Sequence, residues 1–339
     1  MTKPSSTTTL APAALAPISK LWATVGHVLP WAIAIGFFFV AEGSLSIGTQ
    51  IMIWILFALS LDLILGYAGI VTLGHAAFFG VGAYAAGLFS IHFSPDPLIG
   101  HIFAIVVSGL LGLVTGALIL HTTGVTFLML TLATVSLIFE FGNQTRWLTG
   151  GDDGLQGMRV DPIFGMFEFN IFGQTAYVYA LVVLFIWFLF SWRLMHSPFG
   201  RSLDGIRQNS RRMRAIGTPV WWRLLAIYGI SAAMAGSAGA LLAHSTRFVG
   251  LSSLSLLTSG IVTVMLILGG TRKLYGAFIG AAIYYLVQDS TAKINPHFWE
   301  FIVGGMLIIT VLFLEGGLMD LGRIGRRLIS RFRQRSDLP

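Results

Sequence analysis

Hydrophobic residues in this chain come in long unbroken blocks, not in alternation. No Asp, Glu, Lys or Arg interrupts residues 21–41, 43–61, 63–95, 97–139, 169–192, 224–246, 248–271, 274–288 or 301–314. A helix needs about 20 mostly apolar residues to cross a bilayer. The block 63–95 holds one such helix behind a Gly-rich approach, and 97–139 is long enough for two. Aromatics around Trp299 extend the last, shorter blocks into the headgroups. The pattern predicts ten helices, near 23–41, 50–66, 74–91, 98–120, 124–141, 175–192, 223–243, 256–270, 274–288 and 298–314. The fold class is an all-α polytopic membrane protein. The first block exceeds the 7–15-residue apolar core of a signal peptide, so it reads as a span.

Composition narrows the function. Of 339 residues, 55% are hydrophobic and 10% charged, against roughly 25% charged in soluble domains. A soluble enzyme and a disordered chain are both excluded. There is no Cys, and the eight His show no His-x-x-x-His spacing, so no metal site is expected. No carboxylate pair or Ser/His/Asp arrangement marks a catalytic residue. No Gly-x-x-x-x-Gly-Lys-Ser/Thr loop is present, so ATP-driven work needs an ATPase on another chain.

Charge sets the orientation, because basic residues stay on the cytoplasmic side. Segment 193–223 carries seven Arg against Asp204, and 321–335 carries six Arg and no acid. Segment 140–168 has five acids against Arg146 and Arg159. Ten spans with both termini cytoplasmic satisfy this, with 142–174 outside and 193–222 inside. Residues 1–22 read as a disordered cytoplasmic tail, 23–314 as the membrane domain and 315–339 as a basic cytoplasmic tail. The basic excess lies beside helix ends, where it meets anionic lipid or an acidic partner and not nucleic acid.

Small residues at helical spacing (Gly112/Gly116, Ser231/Ala235/Gly239, Gly276/Gly280) let backbones approach closely in a compact bundle. Asp62 sits inside an apolar run, and a carboxylate there needs a partner or water. It either borders a solute path or pins two helices by hydrogen bonding. His75 follows Gly74 and braces or caps a bend. Glu140 lies near a helix end, where interfacial solvation suffices. In 197–217, Phe199, Leu203, Ile206 and Met213 share a helical face ringed by Arg201, Arg207, Arg211 and Arg214. That is a short amphipathic helix which either lies on the inner leaflet or sits in a partner's groove.

The run Gly66-Tyr67-Ala68-Gly69-Ile70-Val71-Thr72-Leu73-Gly74-His75-Ala76-Ala77-Phe78-Phe79-Gly80-Val81-Gly82-Ala83-Tyr84 resembles the M-type membrane subunit of branched-chain amino-acid ABC importers. Four further blocks agree in order: Thr149 to Leu155, Ser197 to Arg207, Ala215 to Leu241, and Leu268 to Ala281. The resemblance covers roughly residues 50–315. Asp62 stands where the family often has Asn, and Thr72 where it often has Ser.

The resemblance implies a permease of the bacterial inner membrane that is no enzyme and carries no cofactor, ATP and Mg belonging to partner chains. Those partners are a second permease subunit, two ABC ATPases and a periplasmic solute-binding protein. It implies a coupling helix at 199–217, with Phe199, Gly200, Arg201, Leu203, Ile206, Arg207, Arg211 and Gly217 taking force from the ATPases. Asp62, Thr72, His75 and Tyr84 would line the translocation path. Gly150, Gly151, Asp152, Asp153 and Gly154 would meet the binding protein. The solute would be a branched-chain amino acid, or else urea, a short amide or an aromatic acid. An ATP-independent transporter or channel is the alternative outside the family, and it gives the 199–217 helix no task.

Overall fold

The computed structural model describes residues 17–40, 42–169, 173–294, 299–313 and 317–320. The chain divides into two compact units, Met1–Ala41 and Glu42–Pro339. The first contributes α1 (Pro17–Val40), which covers 23–40 of the predicted 23–41 and starts six residues earlier. The rest of the predicted tails, 1–16 and 321–339, lies outside the described residues.

The second unit runs α2 (Leu45–Asp62), α3 (His75–His92), α4 (Pro97–Ile119), α5 (Val125–Gln144), the single turn α6 (Arg146–Thr149), α7 (Gln174–His196), α8 (Pro198–Ala215), α9 (Val220–Thr246), α10 (Leu256–Gly269), α11 (Leu274–Ile294) and α12 (Trp299–Phe313). A described helix overlaps each of the ten predicted ranges, but fewer than ten qualify as spans. Among the described residues no strand forms, only isolated bridges between Leu155 and Val249 and between Ile163 and Phe167. Helices satisfy their own backbone groups, which is what a bilayer demands.

By length and composition, five helices can cross a membrane: α2 with its extension to Ala68, α4, α5, α7 and α9. The helices α10 and α11 are bent by 115° at a short break, and count as a sixth if they form one broken span. The sequence reads this pair as two separate spans. At about 1.5 Å per residue, the 14 residues of α10 fall short of the ~30 Å hydrocarbon core.

Helix α9 is the central element, packed chiefly on α4, α3 and α2. The small-residue stripes predicted from sequence are the contact points. A Cβ on Gly112 would meet the Ala232 side chain, one on Gly116 the Tyr228 ring, and one on Gly239 the Phe79 carbonyl. Gly276 and Gly280 press against the Gly269–Gly270 and Met265 backbone, which lets α11 fold tightly onto α10. The outward faces of α4 and α5 expose Ile102, Val106, Leu118, Leu137 and Phe141. So large an apolar surface is intolerable in water and natural in lipid.

Loops sort to two ends. The α2 extension, α8 and residues 270–273 meet at one end through Arg207 Nη1, which donates to Gly66 O at 2.6 Å, and through the Arg272–Asp204 ion pair. At the opposite end, Asp161 N donates to Pro95 O at 3.0 Å and Leu155 N to Val249 O at 2.8 Å.

Candidate functional site

The site is the junction where α8 meets the ends of two membrane helices. Helix α8 begins sharply, because Ser197 Oγ accepts from Phe199 N at 3.2 Å and Pro198 takes the first helical position. Leu203 and Ile206 are buried, as the amphipathic pattern predicts, and so is Gly200. A Cβ on Gly200 would overlap the Met195 backbone, so only Gly allows α8 to turn this tightly from α7. Phe199 is half-buried under the Arg223 guanidinium, whose Cζ lies 5.3 Å from the ring centroid.

The predicted single helix is broken. Asn209 is extended (φ −159°, ψ 96°), and its Oδ1 accepts from Arg212 N at 3.0 Å, capping a second short segment. That segment folds back, so the side chain of Met213 reaches Gly205. Gly217, at φ +84°, ends it as predicted. Arg201 and Arg211 are exposed.

Asp62 is completely buried. Its Oδ1 accepts from the backbone N of Arg272 at 2.8 Å. Arg272 sits in the 270–273 turn with φ +64°, a left-handed conformation rare for a side-chain-bearing residue. The Arg272 guanidinium pairs with Asp204 of α8, and Tyr67 Oη donates to Arg272 O at 3.4 Å. A Cβ on Gly66 would overlap Asp62 Oδ1 and crowd Arg272 N. Arg272 therefore joins three elements: Asp62 holds its backbone in the turn, and its side chain reaches α8. Arg207 makes the second tie, from α8 to the α2 extension, lying across Gly69 (φ +75°). Asp62 Oδ1 is thus hydrogen-bonded across the junction, while its buried Oδ2 has no partner among the described residues.

Thr72, His75 and Tyr84, expected along a path, are buried within this chain. Thr72 Oγ1 accepts from Gly74 N at 3.2 Å. His75 opens α3, and its Nε2 lies 2.8 Å from Ser60 Oγ. The Ser60 proton goes to Phe57 O, so His75 Nε2 is the donor. Its ring stacks on Phe57 at 5.5 Å, which matches the bracing role.

At the opposite end, Gly150, Gly151 and Gly154 all have φ between +59° and +77°. Thr149 Oγ1 anchors the turn to Gly142 O at 2.5 Å, and the Leu155–Val249 bridge closes it. Asp152 and Asp153 project outward. Asp152 lies 3.7 Å from Arg146, with both side chains mostly exposed, a pairing of little energetic weight. Gly150→Ala would place a Cβ on the Gly154 carbonyl in a strained backbone, costing about 1–3 kcal/mol. Asp152→Asn and Asp153→Asn should leave the melting temperature of the purified chain unchanged.

Sequence reasoning missed Asp204, Gly66 and Arg272. Asp204 was visible as the lone acid in a basic segment. Arg272 was visible as a charge between two apolar runs. Among the described residues, no cluster of three or more His, Asp or Glu side chains is placed to hold a metal ion.

Residues 43–311 match the family described as branched-chain amino acid transport system, permease component. The chain belongs to that family. It is 25% identical over 313 residues to the high-affinity branched-chain amino acid transport system permease protein LivM of Salmonella typhimurium, covering 84% of this chain and 72% of that one. It is 26% identical over 312 residues to the protein of the same name from Escherichia coli, with the same coverages. It is 25% identical over 219 residues to the autoinducer 2 import system permease protein LsrC of Enterobacter, covering 62% and 54%. No solved structure matches. This permease-family chain is a multi-pass membrane protein, and its family is not one of enzymes.

Proposed function

We propose that this chain is the membrane-spanning subunit of a binding-protein-dependent ABC importer for branched-chain amino acids in a bacterial inner membrane. The α8 end faces the cytoplasm, as do both termini, and ten helices are embedded. A second permease subunit completes the pathway. Two ATPase chains dock on α8, and a periplasmic binding protein meets residues 149–155.

One observation carries the reading: the basic segment that follows α7 is tied by Arg207 and by Asp204 to the ends of two membrane helices. Force applied to Phe199, Arg201 and Arg211 by an ATPase, passed on through the buried Leu203, thus reaches α2 and the α10–α11 turn together. ATP drives transport by binding one conformation of the assembly better than the other. Residues Asp62, Thr72, His75 and Tyr84 act in this chain by holding the helices that border the path. The autoinducer 2 permease relative favours a second reading of the solute alone, as another small polar molecule.

Arg201→Glu tests the docking. Arg201 is exposed, so the variant should insert and melt like the parent. ATP-dependent uptake in reconstituted vesicles should fall at least tenfold while the ATPase still turns over. Uptake at the parental rate would contradict docking at α8.

A further inference from the structure

At the α8 end, a cavity of about 340 Å³ opens between the close of α7 and the start of α11. Tyr67, Trp192, His196, Arg272, Lys273 and Tyr275 line it, and no acid is among the lining residues. Asp204 accepts from one Arg272 nitrogen, Nη2. A guanidinium has five N–H donors, so that pairing leaves Arg272 able to hold a second anion. Its side chain is 46% exposed, and the half-buried Lys273 stands beside it. The cavity is therefore built for a negatively charged group.

The rings around it are fixed. His196 Nδ1 donates to Trp192 O at 2.8 Å, and the two rings stack at 4.4 Å. Tyr275 packs on Phe188 of α7 at 4.9 Å, which joins the two walls. Trp and Tyr gather where membrane helices leave the hydrocarbon, so this cavity sits at headgroup depth.

A matching apolar track leads away from it along α7. Val178, Val182, Phe185 and Leu189 are each about half exposed. With Trp192 and His196 they recur every three or four residues, which is one helical face. From Val178 to Trp192 the track runs ~21 Å at 1.5 Å per residue, more than the ~15 Å of hydrocarbon in one leaflet. A basic cavity above an apolar track fits one kind of molecule, an anionic head on acyl chains. Free phosphate would leave the track bare. The chain's own segment 321–335, with six Arg and no acid, would be repelled.

We propose that Arg272 and Lys273 hold the phosphate of an anionic phospholipid in this cavity, with an acyl chain along the Val178–Trp192 face of α7. Basic pockets between membrane helices bind such headgroups. The phosphate and α8 then share one guanidinium, so the lipid lies on the turn that Asp62 anchors. That the lipid belongs to the cytoplasmic leaflet rests on the orientation proposed above; the binding does not.

Photocrosslinking of the purified full chain tests this. Phosphatidylglycerol and phosphatidylcholine, each with a diazirine in one acyl chain, are added in turn to detergent micelles, and labelled peptides are read by mass spectrometry. Residues 178–196 should be marked about fivefold more by phosphatidylglycerol, the weight of one basic residue at an anionic surface. The outward faces of α4 and α5 should be marked equally by both probes. Lys273→Gln should remove the difference on α7, and Lys273→Arg should keep it. Arg212→Gln takes the same charge from an exposed position on α8 and should also keep it. No ATPase or solute enters the experiment, so its failure would leave the coupling role of α8 standing. Equal marking of α7 by the two probes in the parent overturns the proposal and leaves the cavity to an acidic protein side chain. Parental marking in Lys273→Gln, or loss of the difference in Arg212→Gln, overturns it as well.

Discussion

Gly66→Val abolishes ATP-dependent uptake in reconstituted vesicles while the chain still inserts in the membrane. The new Cβ lands on Asp62 Oδ1, so the bond from Arg272 N to that oxygen is lost. Leaving a buried polar group unpaired costs about 1–3 kcal/mol. Applied to a conformational equilibrium, that is roughly a 5- to 150-fold shift. The left-handed turn at Arg272 then loses its anchor, and with it the alignment of the guanidinium on Asp204. Asp62→Leu should reproduce the loss. Asp62→Asn keeps an acceptor oxygen and should transport within about twofold of the parent, since an amide oxygen accepts the same hydrogen bond. Uptake and thermal melting measured on the three variants check this. Parental transport by Asp62→Leu would sever Asp62 from coupling.

The second large effect falls on folding. Gly239→Leu places its Cβ on the Phe79 carbonyl and against Ala83 N. Both obstacles are backbone, so no rotamer change relieves them. Helices α3 and α9 must separate, and with them one of the two most extensive packing contacts in the bundle. Overpacking usually costs about 1–3 kcal/mol, and a rigid obstacle puts this case at or above the upper end. The variant should yield little monodisperse protein on size exclusion in detergent. Gly260→Ala is the control: its Cβ would have nothing within 4 Å, and it should behave like the parent.

Helix positions were legible because a lipid environment leaves an unusually plain record: a charge inside a span is costly, so charges mark the ends. The packing face of α9 was legible for a similar reason, since Ser231, Ala235 and Gly239 repeat at helical spacing. What sequence could not supply were pairings between distant residues. Asp62 was conspicuous, but its partner lies 210 residues on and is a backbone amide, which no residue type announces. The angle between α10 and α11 escaped because Gly269-Gly270 reads equally as a loop between two spans and as a break within one. The kink in α8 did leave a trace. Asn is a poor helix-interior residue and a good cap, and Asn209 sits three residues before the Arg212 amide that it caps. The basic cavity draws its lining from the α2 extension, α7 and the 270–273 turn, so no local pattern holds it.

The central claim is that α8 lies on the cytoplasmic face and receives an ATPase. Because the chain has no Cys, a single Arg201→Cys substitution provides a unique thiol for a membrane-impermeant maleimide. The account predicts labelling in inside-out vesicles stripped of peripheral proteins, protection when ATPase subunits are added back, and no labelling in right-side-out vesicles. Reaction from the outside, or labelling indifferent to the ATPase, would contradict it.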